Sequence, residues 1–406
     1  MDEALKDNAI YSGVYNFLQE HVVRSGFVQD TLGLEDLSWL AYLLAALSVI
    51  MLVVNGFLLL GTLFTWAERK MVGRFQSRVG PNRAGPFGIL QAIADAIKLL
   101  FKEDTVPRRA DRLVFNAAPI VMLAPSLMAL GVIPFGKGSF VADLNIGVLY
   151  VVAVSGIASL AVLMAGYSSA NRLALFGSMR AAAMLVSYEI PLVMVLLGVV
   201  VMSGSMSMVD IVEAQRLPYI LVMPLGVGLF LVAISAELNR PPFDVTEAES
   251  ELVAGYVTEY SGMKFGVFFL AEFSNVVLAG AIFAVLFLDG WEWAILPSHL
   301  WFLIKVGVFV VFASWVRATL PRLRLDQILA FAWKFLFPLS LVNVLFLAAE
   351  TIAWPDPTAS ELAMIVAINW GVAIVAFVVM SRVVSLGRPA TPVRLVPDMT
   401  TVGEVS

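Results

Sequence analysis

Long runs of apolar residues dominate the chain from one end to the other. A helix of about 20 apolar residues spans a hydrocarbon core of about 30 Å, and nine stretches reach that length. The predicted spans are residues 39–66, 112–135, 146–167, 182–203, 218–238, 263–288, 300–318, 328–350 and 360–381. The pattern predicts an all-α polytopic membrane protein, a bundle of about nine transmembrane helices.

The spans divide the chain into three parts. Residues 39–381 form a single predicted transmembrane bundle, which an outer N-terminal segment, 1–38, precedes and a C-terminal tail, 382–406, follows. Residues 9–27 mix apolar and polar positions. This mixture fits an interfacial helix on the outer side, and it fits a poorly ordered terminus equally well.

A further segment, at about residues 87–102, is too short and too charged to span a membrane. Its apolar positions recur at helical spacing, and Gln91, Asp95, Lys98 and Lys102 form the opposite stripe. The pattern predicts an amphipathic helix at the cytoplasmic interface. The charged stripe has two interpretations, a solvated face with an Asp95–Lys98 pair or a functional surface.

The composition is typical of a chain that lies mostly in lipid. Hydrophobic residues make up 60% of it and charged residues 14%, whereas soluble domains contain about 25% charged residues. With no cysteine and two histidines, the sequence lacks the ligands for a thiolate zinc site, a dihaem site or an iron–sulfur cluster held by this chain alone. We therefore expect no metal site and no cofactor bound by the chain itself.

Basic residues are distributed unevenly between the two sides of the predicted bundle. Of the 26 lysines and arginines, 21 fall in the loops and flanks of one side, four fall on the other side and Lys305 lies within a span. Because basic residues accumulate on the cytoplasmic side of membrane proteins, we expect the N-terminus outside and the C-terminal tail in the cytoplasm.

We single out four of the ionisable residues that lie within predicted spans or close them. Glu189, Glu237 and Glu272 belong to spans four, five and six, and Lys305 belongs to span seven. An ionisable group at membrane depth costs about 2.5–3.5 kcal/mol on insertion scales, and such groups commonly serve ion transfer. The structural alternatives are an ion pair between Lys305 and Glu272, or a Lys305 side chain that extends out to the interface. Three glutamates on three successive spans favour a proton path.

The loop between spans five and six, at about residues 239–262, is strongly acidic. Residues 237–259 contain six acids and one base, Arg240. The apolar run at residues 252–257 predicts that the loop folds back against the bundle, and packed carboxylates can exchange protons near neutral pH. The acids of this loop that we assign to proton coupling are Asp244, Glu247, Glu249, Glu251 and Glu259.

Three long motifs make the sequence recognisable. They are ERK at 68–70 with GPN at 80–82 and ADAIKL at 94–99, RPPFD at 240–244 with EAESELVAG at 247–255, and RATLPRLRLDQ at 317–327. With these motifs the chain resembles the H-type membrane subunit of respiratory complex I, which forms the quinone chamber, over about residues 60–350. The ninth span is similar to the bacterial form of that family, so a bacterial plasma membrane is the expected location.

The resemblance implies a membrane subunit of proton-pumping NADH:quinone oxidoreductase that is not catalytic alone. Quinone is the implied substrate, whereas FMN and the iron–sulfur clusters would be held by partner subunits. The implied partners are the quinone-site subunits of the peripheral arm, which this chain would anchor, and the small and antiporter-like membrane subunits. Membrane lipid is also an implied partner, and no nucleic acid is expected.

Two groups of residues follow from the resemblance and their chemistry. The quinone chamber and portal would be formed by Glu68, Arg69, Arg78, Asp95, Ala96, Lys98, Phe269 and Arg317. The proton path would be formed by Glu189, Glu237, Asp244, Glu247, Glu249, Glu251, Glu259 and Glu272. Arginines such as Arg69 and Arg78 can hold loop carboxylates through bidentate pairs.

Other functions are compatible with parts of the sequence. Related subunits serve membrane-bound hydrogenases and formate hydrogenlyases, which need no quinone pocket. A stand-alone ion antiporter would use Glu189, Glu237 and Glu272, whereas a purely structural anchor leaves these glutamates unexplained. The sequence does not distinguish ubiquinone from menaquinone.

Overall fold

The computed structural model describes residues 9–18, 38–245, 253–293, 296–355 and 357–385. Over these ranges the chain forms helices and no β-strand, so the all-α prediction is confirmed. The α-helices are α1 Ala9–Leu18, α2 Ser38–Phe75, α3 Gln91–Phe101, α4 Arg112–Leu130, α5 Gly147–Ser155, α6 Ile157–Ser168, α7 Arg172–Ser203, α8 Met208–Ala214, α9 Tyr219–Val222, α10 Pro224–Glu237, α11 Gly262–Phe287, α12 Ser298–Thr319, α13 Leu325–Phe331, α14 Phe337–Ala353 and α15 Ala359–Ser385. A π-helical turn, Ala332–Leu336, joins α13 to α14.

Eight helical stretches in the described ranges are long and apolar enough to cross a membrane. They are α2, α4, α5 with α6, α7, α11, α12, α13 with α14, and α15. Each corresponds to one of the nine predicted spans, and the short helix α3 lies where the amphipathic segment was predicted. The prediction of a polytopic helical membrane protein is therefore confirmed.

The predicted fifth span is shorter than the others and is interrupted. Met223 has non-helical dihedral angles between α9 and α10, and Pro224 begins α10, a position where proline is favoured because it has no amide hydrogen to donate. The 14 residues of α10 extend about 21 Å. Glu237 is the last residue of this helix.

Two helices extend beyond their predicted spans. The 38-residue helix α2 continues to Phe75, so Glu68 and Arg69 belong to a helix and not to a loop. Helix α7 begins at Arg172, where Asn171 accepts a hydrogen bond from the amide of Leu173. Hydropathy cannot detect such extensions because polar helical turns outside the lipid carry no apolar signal.

Helix α11 lies at the centre of the bundle. In its most apolar stretch 78% of the residues are buried, whereas the corresponding value for α15 is 11%. Both α2 and α12 pack against α11. Gly61 of α2 allows close approach, because a Cβ atom there would lie 2.6 Å from Ser274 Oγ of α11. Small residues at helix contacts permit such packing in membranes.

Lys305 contacts the loop at the predicted outer end of the bundle. Its ammonium donates to the backbone oxygens of Asp289, Gly290 and Glu292 at 3.2, 2.9 and 3.2 Å. The side chain therefore extends from α12 towards the end of the membrane, which is one of the two structural alternatives. The other alternative, a pair with Glu272, is not formed.

Asp289 follows α11 in this outer loop and has a shifted pKa. Burial raises the pKa of Asp289 to about 6, with the Lys305 charge acting against the shift and the Glu292 charge adding to it. Its Oδ1 atom is buried and accepts no hydrogen bond from the described residues. Because the pKa of the folded state lies above the ordinary value, this carboxyl stabilises the fold at low pH, and the contribution is lost as the pH rises through about 6.

The Asp289→Asn variant of the full chain in detergent is expected to have a Tm a few degrees above wild type at pH 8. An amide removes the cost of a partly buried charge, and asparagine tolerates the positive φ of 60° at this position. The advantage should disappear at pH 4, where Asp289 is protonated. Thermal unfolding at both pH values checks this, with exposed Glu213→Gln as the control. A lower Tm of the variant at pH 8, or an equal difference in Tm at both pH values, would show that the charge of Asp289 does not destabilise the fold.

Candidate functional site

Four charged side chains meet between α2, α11, α12 and the loop after α10. Arg240 donates from Nη1 to Glu68 Oε1 at 2.6 Å, and Arg317 donates a hydrogen bond to the same oxygen. Glu272 Oε1 lies 3.5 Å from Arg240 Nη2. Glu68 and Arg240 are buried. Two arginines and two glutamates balance in charge, and we call them the charge network.

Two phenylalanine rings enclose the Arg240 guanidinium. Its central carbon lies 5.0 Å from the ring centroid of Phe273 and 5.8 Å from that of Phe64. A cation over an aromatic face is stabilised electrostatically, and more so when it is removed from water. Arg240 Nε has no hydrogen-bond partner in the described part of the chain. Its position therefore depends on the two carboxylates and the two rings.

The loop after α10 places Arg240 through its backbone and its neighbours. Leu323 donates its amide to the carbonyl of Pro242 at 3.0 Å, and Asp244 accepts from Arg322 at 2.7 Å. Asp244 is buried. These contacts connect the loop to the segment that precedes α13, and thus to the arginine-rich motif that ends α12.

A cavity of about 610 Å³ lies beside the charge network. This volume is within the usual range for small-molecule sites. The cavity is lined by Glu68, Arg69, Val72, Arg78, Val79, Gly80, Pro81, Phe269, Phe273 and Arg317. Five of the eight predicted chamber and portal residues are on this wall, namely Glu68, Arg69, Arg78, Phe269 and Arg317. The wall combines a charged end with aromatic side chains.

The other three predicted chamber residues are on α3. Asp95 accepts from Arg69 at 2.5 Å and from Gln91 at 3.2 Å. Burial acts to raise the pKa of Asp95, but the hydrogen bonds from Arg69 and Gln91 and the charges of Arg69 and Lys98 outweigh it, so the pKa lies below its usual value. Lys98 is exposed and 3.8 Å from Asp95. Ala96 is also exposed, and none of the three is on the cavity wall.

Arg78 does not hold a carboxylate within the described ranges. Its Nε donates to Gln76 Oε1 at 2.8 Å. Arg69 does contact a carboxylate, through one hydrogen bond to Asp95, which lies on helix α3 and not in a loop. The difference follows from position, because Arg69 lies on α2 opposite α3 whereas Arg78 lies beyond the end of α2.

Two smaller cavities extend from the network into the bundle. One, of about 20 Å³, is lined by Glu272, Glu237, Asn239 and Asn275, among others. The second, of about 80 Å³, shares Glu237, Asn239 and Asn275 with the first and continues between α4, α5, α7, α10 and α11. A water molecule requires about 10–15 Å³ measured in this way. Glu237 therefore lies between a space that the charge network borders and a deeper one.

The remaining glutamates of the predicted proton path do not belong to the charge network. Glu189 lies beside the break between α5 and α6, where a Cβ atom on Gly156 would be 2.7 Å from Glu189 Oε1. Its charge interacts with that of Glu237. Glu259 accepts from Asn171 Nδ2 at 2.7 Å, at the start of α7. Glu247, Glu249 and Glu251 lie outside the described residues.

The apolar part of the acidic loop folds back against the bundle, as its sequence predicted. Tyr256, Val257 and Tyr260 are buried. The ring of Tyr260 stacks on Phe115 with centroids 4.0 Å apart, and its hydroxyl donates to the Phe115 carbonyl at 3.2 Å. Glu259 is therefore held between a buried tyrosine and Asn171.

Several residues of the site were not singled out by sequence reasoning. Arg240 is the centre of the charge network, Arg322 pairs with Asp244, and Asn275 lines both small cavities. Only Arg240 stands out in the sequence, because it is the single base in residues 237–259, which contain six acids. Asn275 carries no charge and lies within an apolar span, so its sequence context gives no indication of its role.

Known proteins are similar to this chain over most of its length. A family model described as NADH dehydrogenase matches residues 47–348. The H-type NADH-quinone oxidoreductase subunit of Dehalococcoides mccartyi is 49% identical over 342 residues, or 84% of this chain and 96% of that protein. The protein of the same name from Brevibacillus brevis is 46% identical over 330 residues, 79% of this chain and 97% of that protein.

A third relative, the protein of the same name from Geobacillus kaustophilus, is 48% identical over 315 residues, 76% of this chain and 93% of that protein. The range matched by the family model includes all four residues of the charge network. The predicted resemblance to the H-type membrane subunit of respiratory complex I is confirmed, and this chain belongs to the NADH dehydrogenase family.

Proposed function

We propose that this chain forms the entry portal and chamber for quinone in a proton-pumping NADH:quinone oxidoreductase of the bacterial plasma membrane. In this proposal it anchors the peripheral redox arm, and its buried glutamates link quinone reduction to proton translocation. The observation that carries the proposal is the cavity of about 610 Å³ whose wall contains Glu68, Arg317 and Phe269.

The wall of this cavity suits the two chemically different parts of a quinone. The ring carries two carbonyl oxygens that accept hydrogen bonds, and Arg69, Arg78 and Arg317 supply donors. The isoprenoid tail is apolar, and Phe269 and Phe273 supply aromatic surface 4.7 Å apart between centroids. Because the tail partitions into lipid, its route has to lead to the bilayer, and α2 has exposed apolar side chains along its length.

The surface of α3 supports the anchoring role. No residue of α3 is buried, and large apolar side chains such as Phe101, which is 88% exposed, and Ile97 lie open on and beside it. Arg69 fixes the helix to α2 through Asp95. An extended apolar surface held in a fixed position is typical of a contact with a partner or a membrane, and we assign it to the junction of the peripheral arm with the membrane.

The charge network and the glutamates beyond it support the coupling role. Reduction of a quinone to a quinol adds two electrons and takes up two protons. Before the protons are taken up, the negative charge of the reduced ring beside Glu68 and Arg317 alters the field at Arg240 and Glu272, because interactions between charges are strong where water is excluded. Glu237 shares a small cavity with Glu272 and interacts electrostatically with Glu189. In our proposal, protons are displaced in the order Glu272, Glu237 and Glu189.

The portal can be tested by narrowing it. In the assembled complex, Phe269→Trp is expected to raise the KM for a quinone with a long isoprenoid tail about tenfold, which corresponds to about 1.4 kcal/mol of lost binding. The KM for a short-tailed, water-soluble analogue should change much less, because its small tail can pass the added ring. Steady-state NADH:quinone kinetics with both acceptors measure the difference.

The matched control is Phe265→Trp. Phe265 stacks on Phe269 with centroids 6.0 Å apart, but it does not line the cavity, so both KM values should stay near wild type. If Phe269→Trp leaves the KM of the long-tailed quinone unchanged, the portal does not pass this wall and the proposed route is wrong.

A further inference from the structure

A second large groove borders α12 at Phe312 and Val316, whereas the quinone cavity borders α12 at Arg317. The groove has a volume of about 640 Å³ and runs between α10, α12 and the α13–α14 helix. Its wall is almost entirely apolar and includes Val232, Phe312, Val316, Ala330, Phe331 and Phe335. We call it the aromatic groove. It shares no lining residue with the cavity beside the charge network.

One lysine lies in this apolar wall. Lys334 belongs to the π-helical turn between α13 and α14 and lines the aromatic groove together with Gln327. In the described part of the chain no carboxylate oxygen lies within 4.0 Å of its ammonium, and no other partner is found for it. Irregular turns of this kind are often located at functional positions.

Lys334 is exposed and lies towards the predicted cytoplasmic end of its spanning stretch. The spanning stretch begins at Leu325, nine residues before Lys334, which places the Cα of Lys334 about 14 Å along the helix. An ammonium at such depth requires a partner or a route to the interface. Apart from Ser235 and Gln327, the other side chains that line the groove are apolar or aromatic, so an anion that pairs with Lys334 in the groove has to come from outside the chain.

We propose that the aromatic groove binds one phospholipid with an anionic head group. An acyl chain would lie against Phe312, Phe331 and Phe335, and the head-group phosphate would pair with Lys334 towards the predicted cytoplasmic end. Basic pockets between membrane helices on that side bind anionic head groups. The groove and the quinone cavity have no lining residue in common, so this proposal does not depend on the proposed quinone site.

The test is lipid retention by the purified full chain in a non-ionic detergent. Phosphatidylglycerol or phosphatidylcholine with identical acyl chains is titrated, and native mass spectrometry counts the molecules that stay bound. We expect wild type to hold one phosphatidylglycerol about tenfold more tightly than phosphatidylcholine, a difference of about 1.4 kcal/mol. Lys334→Gln should remove this preference, and Ala330→Trp, which fills the groove, should abolish retention of both lipids.

Lys137→Gln, a change of an exposed lysine at the predicted outer end, is the control and should keep the wild-type preference. Equal binding of the two lipids by wild type overturns the proposal, as does an unchanged preference in Lys334→Gln.

A photoreactive residue at position 330 in the assembled complex gives a second measurement. Crosslinking to phospholipid supports the proposal, and crosslinking to another subunit overturns it. If Ala330→Trp fails to fold, the exposed Lys334→Gln change carries the test.

Discussion

The Glu68→Gln variant is expected to lose electron transfer to quinone almost completely. Glu68 is the carboxylate that both Arg240 and Arg317 contact, and glutamine offers them only a neutral oxygen. Removing one partner of a buried ion pair costs about 3–5 kcal/mol because the remaining charge is uncompensated. Because a displacement of about 1 Å in a site can cost about a hundredfold in rate, we expect electron transfer to quinone to fall by about that factor. NADH:quinone activity in membranes measures the effect.

Two further variants separate the electrostatic cause from a general defect. Glu103→Gln changes an exposed carboxylate just after α3 and should leave the rate at the wild-type level. Glu68→Gln combined with Arg317→Gln removes one charge of each sign, so the double variant should be less destabilised than the sum of the single changes. NADH oxidation by an artificial acceptor upstream of quinone reports whether the complex has assembled. A wild-type quinone rate in assembled Glu68→Gln would show that the network is not needed.

The Glu237→Gln variant is expected to abolish proton pumping during NADH oxidation. The substitution keeps the size of the side chain but removes its ability to change charge, and Glu237 lies between the two small cavities. A positioned acid or base contributes about a hundredfold or more to a proton-transfer step, so we expect the rate of acidification to fall by about that factor. A pH-sensitive dye in sealed membrane vesicles follows it.

Glu237→Asp is the conservative control and should retain part of the pumping, because it keeps a carboxyl group in the same place. Glu213→Gln, an exposed change at the other end of the bundle, should pump normally. Glu189→Gln is expected to reduce pumping as well. If both Glu237→Gln and Glu189→Gln pump at the wild-type rate, protons do not follow this path.

Much of the fold could be predicted because the bilayer restricts it strongly. A spanning segment has to satisfy its backbone internally and be apolar for about 20 residues, and this requirement identified eight spans and the position of α10. The interruption at Met223 and the extension of α2 to Phe75 were not predicted. Both depend on tertiary packing, for which hydropathy carries no information.

The site could be predicted in its residue types but not in its pairings. Glu68, Arg317 and Phe269 were expected to lie together and do line one cavity. Glu272 was weighed as a partner of Lys305, yet it lies beside Arg240. The reason is that the loop after α10 turns inward and delivers Arg240 to α11, and its conformation depends on contacts such as Leu323 with Pro242. Pairings between distant segments can therefore be predicted only when the conformation of this loop is known.

The unbroken course of α2 has a mechanical consequence. Its 38 residues form a rod of about 57 Å, whereas the hydrocarbon layer is about 30 Å thick. The N-terminal half of α2 carries exposed apolar side chains such as Met51 and Leu52, and the C-terminal part carries Glu68. A helix adapts to a change in bilayer thickness by tilting, and a tilt of a rigid rod moves both of its ends. We therefore expect a change in the thickness of the surrounding membrane to alter the geometry in which Glu68 meets its two arginines.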